Sequence, residues 1–105
     1  MSCADEGVAA MAMGCNNLRY LNLTWCIRVT DLGVMSLAKH CCKLRWLSLH
    51  GILGITDKAI TSVAASCSAT LNTFDVNGCR NAALSRNSFA LQQLLPHVMC
   101  WHVHS

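Results

Sequence analysis

The sequence predicts an α/β solenoid, a stack of helix–strand units with a short parallel sheet on the concave face and helices on the convex face. The first observation is an internal repeat, in which Asp5, Asp31 and Asp57 follow one another at intervals of 26 residues. A period between about 20 and 50 residues is typical of solenoid proteins. The second observation is that each period contains a helical apolar pattern followed by a strand pattern.

The repeat divides the 105 residues into four units that we expect to form a single domain. The predicted boundaries are 1–30, 31–56, 57–84 and 85–105. Such a chain is short for burying a core, but in a repeat architecture each unit contributes its own share.

The first half of each unit is predicted to be a short helix. Apolar residues recur there one turn apart, as in Val34, Leu37, Ala38 and Cys41 of the second unit. Corresponding residues in the first and third units are Val8, Met11, Ala12 and Cys15, and Ile60, Val63, Ala64 and Cys67. Each helix therefore presents one apolar stripe to the core.

Threonines precede two of these helices. Thr30 and Thr56 are each followed by an aspartate, Asp31 and Asp57. A threonine hydroxyl accepts a hydrogen bond from the first turn, and an acidic residue there stabilises the positive end of the helix. These residues predict where the second and third helices begin.

The fourth unit departs from the 26-residue register by a few residues. Its predicted helix begins at Ser85 as N-cap and offers Leu91, Leu94 and Leu95 as its stripe. Pro96, the single proline, is predicted to end it.

The second half of each unit is predicted to be a strand, because apolar residues there lie two apart after a three-residue step. The inward positions are Leu18, Leu21, Leu23, Leu44, Leu47, Leu49, Leu71, Phe74, Val76, Val98, Trp101 and Val103. Three residues further on stand Cys26, Ile52 and Cys79. The consensus is LxxLxLxxC, followed by a loop and VTD or ITD, which is the leucine-rich-repeat pattern.

The segment LNLTWCIRVTDLGVMSLAKHC resembles the cysteine-containing leucine-rich repeats of F-box/LRR proteins, the substrate-receptor subunits of SCF ubiquitin ligases. DVNGC and CWHVHS resemble plant members of that group. The resemblance implies a horseshoe segment that recognises a protein substrate while other subunits catalyse. The F-box, which docks on Skp1, has no counterpart in this sequence, so Skp1 and a cullin are expected only with a longer form. The alternative is a stand-alone adaptor or inhibitor, similar to the antagonist-of-mitotic-exit family.

Residues that alternate with the inward positions are predicted to line the concave face, where a protein partner would bind. The predicted binding residues are Tyr20, Asn22, Thr24, Trp46, Ser48, His50, Thr73, Asp75, Asn77, His102 and His104. Because neighbouring strands lie about 4.8 Å apart, we expect Asp75 beside His102 and His50 beside Asn77. A solvated sheet that binds nothing tolerates the same residue types, so that alternative stays open.

Cys100, His102 and His104 alternate on the fourth strand, with Asp75 or His50 as neighbours, and are zinc-ligand types. Residues two apart on a strand are about 7 Å apart, and a second matching ligand pair is lacking, so we predict no metal and no cofactor. Cys100, His102 and Asp75 could imitate a nucleophilic triad, but the sequence suggests no oxyanion donor. We therefore predict that the chain is not an enzyme.

Charge and cysteine content restrict the remaining classes. Only 12% of residues are charged and the net charge is +3 with scattered basic residues, which argues against nucleic-acid binding. Apolar stretches are too short for a membrane span, and we expect a soluble cytoplasmic or nuclear protein. The eight cysteines are interpreted mostly as small buried hydrophobes in a reducing compartment, with Cys3 and Cys42 exposed. The shortage of charge leads us to expect a partner on one face or a longer natural protein.

Overall fold

The computed structural model describes residues 4–98 and 100–101. Cys3, Met99, His102, Val103 and His104 lie outside the described residues, as do the side chains of Cys100 and Trp101. Within them the chain forms α1 (Asp5–Gly14), β1 (Tyr20–Asn22), α2 (Asp31–His40), β2 (Trp46–Ser48), α3 (Asp57–Cys67), β3 (Thr73–Asp75), a 3-10 turn (Ala83–Arg86), α4 (Ser88–Leu94) and β4 (Cys100–Trp101).

The strands form one parallel sheet in the order β1-β2-β3-β4. Tyr20 pairs with Trp46, Trp46 with Thr73, and Thr73 with Cys100. This register is the one that the apolar alternation predicts. Parallel pairing continues past the strand ends, where the Leu23 N–H donates to the Ser48 carbonyl at 2.9 Å.

The prediction of a leucine-rich-repeat solenoid, a horseshoe segment with concave and convex faces, is wrong. The chain is a small compact α/β globule with a Cα radius of gyration of 12.1 Å and extents of 33, 26 and 18 Å. A compact domain of this length is expected near 13 Å. Four strands about 4.8 Å apart span only about 14 Å, so the stack of units is too short to curve. We call the strand face that the helices leave bare the outer sheet surface.

The helices cover the other face of the sheet. α1 packs on α2, and α2 packs on α3. Leu37 of α2 and Val63 of α3 are fully buried with Leu47 and Phe74 of the strands. The helical stripes and inward strand positions of the second and third units therefore form one core, as their spacing predicts, and Met11, Leu18 and Leu21 of the first unit pack half-buried against it.

The predicted N-caps of α2 and α3 are confirmed. The Thr30 hydroxyl accepts a hydrogen bond from the Leu32 N–H, and that of Thr56 accepts one from the Lys58 N–H, both at 3.3 Å. Asp31 lies in the first turn of α2, as predicted.

Each first-turn aspartate also binds the start of the next helix, a contact that the sequence does not predict. The Asp5 carboxylate accepts from the Thr30 N–H at 2.7 Å and the Gly33 N–H at 3.1 Å. Asp31 accepts from the N–H and the hydroxyl of Thr56, at 2.7 and 2.6 Å. These carboxylates join successive helices by their N-terminal ends, because each satisfies donors that the next helix leaves unpaired.

The fourth unit begins differently from the prediction. Ser85 is not an N-cap; it lies in the 3-10 turn, where its hydroxyl donates to the Cys79 carbonyl at 3.0 Å. Asn87 caps α4 instead, since its side chain accepts from the Ala90 N–H at 3.0 Å. Only Asn87 separates the 3-10 turn from α4, and the apolar pattern of the sequence shows no break there. Pro96 follows the end of α4, as predicted.

Among the described cysteines, three are buried, Cys26 is half-buried, and two are exposed. Cys41, Cys67 and Cys79 are fully buried, and burial raises the pKa of each thiol, to about 11 for Cys67 and Cys79. Cys42 is exposed, as predicted. Cys15 was expected in the core but is exposed, because the described residues include no unit that covers the first one.

Candidate functional site

The outer sheet surface carries the predicted binding residues in three rows. The pairing of strands places Tyr20, Trp46 and Thr73 in the first row and Asn22, Ser48 and Asp75 in the second. Thr24, His50 and Asn77 follow two residues after the second row, just past the strand ends. His102 and His104 lie outside the described residues.

Two aromatic rings stack in the first row. The ring centroids of Tyr20 and Trp46 are 4.3 Å apart, and the ring planes differ by 13°. Tyr20 is 59% exposed and Trp46 is half-buried, so one side of this stack faces solvent. Parallel strands about 4.8 Å apart hold equivalent side chains at the separation that stacked rings favour.

The second row holds the turns that follow the strands. The Asn22 side chain accepts from the Thr24 N–H at 3.0 Å, and the Ser48 hydroxyl accepts from the His50 N–H at 3.3 Å. Local bonds of this type fix the chain as it leaves a strand. Ser48 is only 2% exposed, so it positions neighbouring residues of this surface and has little area of its own for contact with a partner.

Asp75 fixes the turn that follows β3 in the same way as Asn22 and Ser48, because its carboxylate accepts a hydrogen bond from the Asn77 N–H at 2.9 Å. It also lies 3.4 Å from His50 Nδ1. The pair joins residues of different rows and was not predicted from the sequence, which placed His50 beside Asn77 and Asp75 beside His102; His102 lies outside the described residues. Alternation along a strand predicts rows, but it does not predict which diagonal neighbours a long side chain reaches.

A second aromatic feature lies beyond the strand ends. Trp25 is 64% exposed and contacts His50 edge-on, with ring centroids 5.1 Å apart. Its backbone is left-handed, with φ of 62°, at the position that Gly51 and Gly78 occupy in the next two units, with φ of 76° and 78°. Trp25 is not among the residues that the sequence predicts to line this surface. The signal that could have located it is its alignment with two glycines.

The outer sheet surface is therefore edged by aromatic rings on two sides. Tyr20 and Trp46 lie where the strands begin, and Trp25 and His50 lie where the chain leaves them. Polar side chains of the second row lie between. Such a surface offers apolar anchors and hydrogen-bonding groups on a rigid sheet, but within the described residues no three His, Cys, Asp or Glu side chains are grouped to hold a metal ion.

No protein-family model matches this chain. Over residues 4–98 and 100–101, every helix is too short or too polar to cross a lipid bilayer.

Proposed function

We propose that the chain is a protein-recognition module that binds a protein partner on the outer sheet surface. The stacked, solvent-facing Tyr20–Trp46 pair is the observation that carries this proposal. Tyrosine and tryptophan are enriched among the residues that supply most of the energy of protein interfaces. A stacked pair is an anchor of that kind.

The surface is also ordered in advance of binding. Turn hydrogen bonds hold Asn22, Ser48 and Asp75, and the contact with Trp25 restricts His50. Side chains that are already fixed lose less conformational entropy when a partner binds. This favours recognition by a preformed surface over folding upon binding.

The shape and charge of the surface favour a protein as the partner. Its residues spread over neighbouring strands of a sheet, as at protein interfaces, whereas small molecules are usually enclosed in a cavity. The predicted binding residues include one carboxylate, Asp75, and neither lysine nor arginine. A protein surface that binds nucleic acid needs positively charged side chains to neutralise the phosphates.

A finer proposal follows from the sequence resemblance to F-box/LRR proteins. In it, the chain is the substrate-recognition part of a subunit of an SCF ubiquitin ligase, and other subunits catalyse. Skp1 and a cullin would associate through an F-box on a longer form. The buried, unionised thiols suit a reducing compartment, which agrees with a cytoplasmic or nuclear location.

The test compares two double variants by capture from cell extract, quantified by mass spectrometry. Tyr20→Ser with Trp46→Ser removes the stack, whereas Leu32→Ser with Phe89→Ser removes exposed apolar side chains from helices α2 and α4. We expect the first variant to lose a specific partner by at least about tenfold, because truncating an interface anchor costs about 2 kcal/mol or more. The second should retain it.

Equal retention by both variants, with unchanged thermal unfolding, would contradict binding at this surface. The proteins that accompany the partner decide the finer proposal. Skp1 and a cullin, together with loss of the partner's ubiquitylation on depletion of the protein, support the ligase subunit. A partner without them supports the stand-alone adaptor or inhibitor.

A further inference from the structure

The outer edge of the first unit carries an apolar face, which we call the end face. Its residues are Met11, Cys15, Leu18 and Leu21, all half-buried or exposed. Their counterparts in the second unit are Leu37, Cys41, Leu44 and Leu47, each 0% exposed because the first unit covers them. The end face thus has the composition of an internal contact, but no helix or strand of the described residues packs on its outer side.

The edge of β1 adds unpaired backbone groups to the end face. Arg19 and Leu23 bond to β2, since the Arg19 carbonyl accepts from the Trp46 N–H and the Leu23 N–H donates to Ser48. Alternate residues of a strand bond to opposite sides, so Tyr20 and Asn22 direct N–H and C=O groups away from β2. β1 is the first strand of the sheet, and its outer edge has no paired strand within the described residues.

We infer that the end face binds the end face of a second copy of this chain, with the two β1 strands antiparallel across a two-fold axis beside Leu21. In this register Tyr20 of one copy lies opposite Asn22 of the other, and their outward N–H and C=O groups form the hydrogen-bonded pairs of an antiparallel ladder. Leu21 meets Leu21 of the other copy on the helix side. The result is one continuous sheet with helices on a single face.

Area and charge favour a second copy. A ten-residue helix packed about 10 Å from a strand gives the unit a cross-section of roughly 500 Å² in projection. The accessible area exceeds the projection and approaches the roughly 600 Å² per partner of the smaller specific interfaces. The end-face residues carry no charge, so two identical faces meet without repulsion despite the net charge of +3.

Charged side chains, proline and bulges are the usual devices that keep an edge strand from pairing. Tyr20–Asn22 contains none of them. Within the described residues, the Ala4 backbone bridges to Arg28, six residues beyond β1, and no residue pairs with the outer edge of Tyr20–Asn22. An edge of this kind pairs with another strand when an apolar face supports the contact. This inference does not depend on the proposed function.

The experiment is sedimentation velocity on the unmodified chain, from micromolar to submillimolar concentration. We expect a reversible shift from the 11.4 kDa monomer to a dimer. Met11→Glu, which places a charge in the end face, should raise the dimer dissociation constant by at least about tenfold. Met13→Glu is the matched control, because Met13 is on the same helix but 71% exposed on another side, and it should leave the constant unchanged.

Three results would overturn the inference: a monomer at the highest concentration, a mass that grows beyond the dimer as in head-to-tail assembly, or equal loss of dimer in both variants. If Met11→Glu fails to fold, alkylation of Cys15 in the unmodified chain serves instead. Its rate should fall as the protein concentration rises, while that of exposed Cys42 stays constant. A Cys15 rate independent of concentration also refutes the dimer.

Discussion

Trp25 occupies a backbone conformation that the two equivalent positions give to glycine. A left-handed conformation costs a residue with a side chain about 1 to 2 kcal/mol. The tryptophan ring lies over Gly51, where an added Cβ would come 2.3 Å from the ring. A glycine is therefore required at position 51 for two reasons: its φ of 76° is unfavourable for other residues, and the Trp25 ring leaves no space for a Cβ atom.

We predict that Gly51→Ala lowers the free energy of unfolding by about 2 kcal/mol or more, because the positive φ and the collision with Trp25 add. Gly14→Ala is the control, since Gly14 ends α1 with no atom within 4 Å of the added Cβ. It should be neutral or stabilising by up to about 1 kcal/mol. Urea unfolding of both variants measures the difference.

A Trp25→Ser background separates the two causes. There the Gly51→Ala penalty should shrink to the backbone part alone, about 1 to 2 kcal/mol. A penalty that is the same with and without Trp25 would show that the ring does not restrict this position.

The helices are connected through their N-terminal ends. Asp31 accepts two hydrogen bonds from Thr56 and so fixes the start of α3 from the first turn of α2. Hydrogen bonds to a charged group contribute about 1.5 to 3 kcal/mol when their loss leaves a donor unsatisfied. The carboxylate is half-buried, which limits replacement by water.

Asp31→Asn should therefore lower the free energy of unfolding by about 1.5 to 3 kcal/mol, because the amide loses the charge and one acceptor. Glu6→Gln is the control: Glu6 also lies in a first helical turn but is exposed, and only its interaction with the helix dipole, about 0.3 to 1 kcal/mol, is lost. Chemical denaturation compares the two. Equal effects would mean that Asp31 acts through the dipole of its own helix alone.

The sequence predicts the elements better than the contacts between them. Apolar spacing locates α1 to α3 and the strand register, since burial of a stripe depends only on period. It does not predict the hydrogen bond from the Thr56 N–H to the Asp31 carboxylate or the His50–Asp75 contact, because each joins residues about 25 positions apart in the sequence. Ser85 was misassigned because a serine serves equally well as a cap and as a buried donor.

The shape of the whole molecule follows from its small number of units. A repeat pattern describes how neighbours pack, but curvature needs enough units for small rotations to accumulate. With a 14 Å span of strands, about the length of one helix, the chain is a globule. For the candidate site, the same pattern predicts which residues face outward, but it does not show that Ser48 is covered.

Stability should fall at high pH, because buried Cys67 and Cys79 have their pKa raised from 9.0 to about 11. The unfolded chain releases these protons first, so folding is fully favoured below about pH 9 and loses up to about 2 to 3 kcal/mol per thiol as the pH rises through 11. Urea unfolding from pH 8 to 11 measures this. Cys67→Ala should flatten the curve, whereas Cys42→Ala should change it much less, because Cys42 is exposed and its charge only adds to the effect of burial on the pKa of Cys67.

The burial of these thiols also determines which cysteines react with oxidants. Peroxide attacks the thiolate, and a thiol with a pKa of about 11 is ionised in only about one molecule in ten thousand at pH 7. Among the described cysteines, oxidation therefore begins at exposed Cys15 and Cys42, which reducing enzymes can reach. Cys67 and Cys79 are spared until the chain unfolds, and their oxidation then adds polar oxygen to sites that are closed to water in the fold, which blocks refolding.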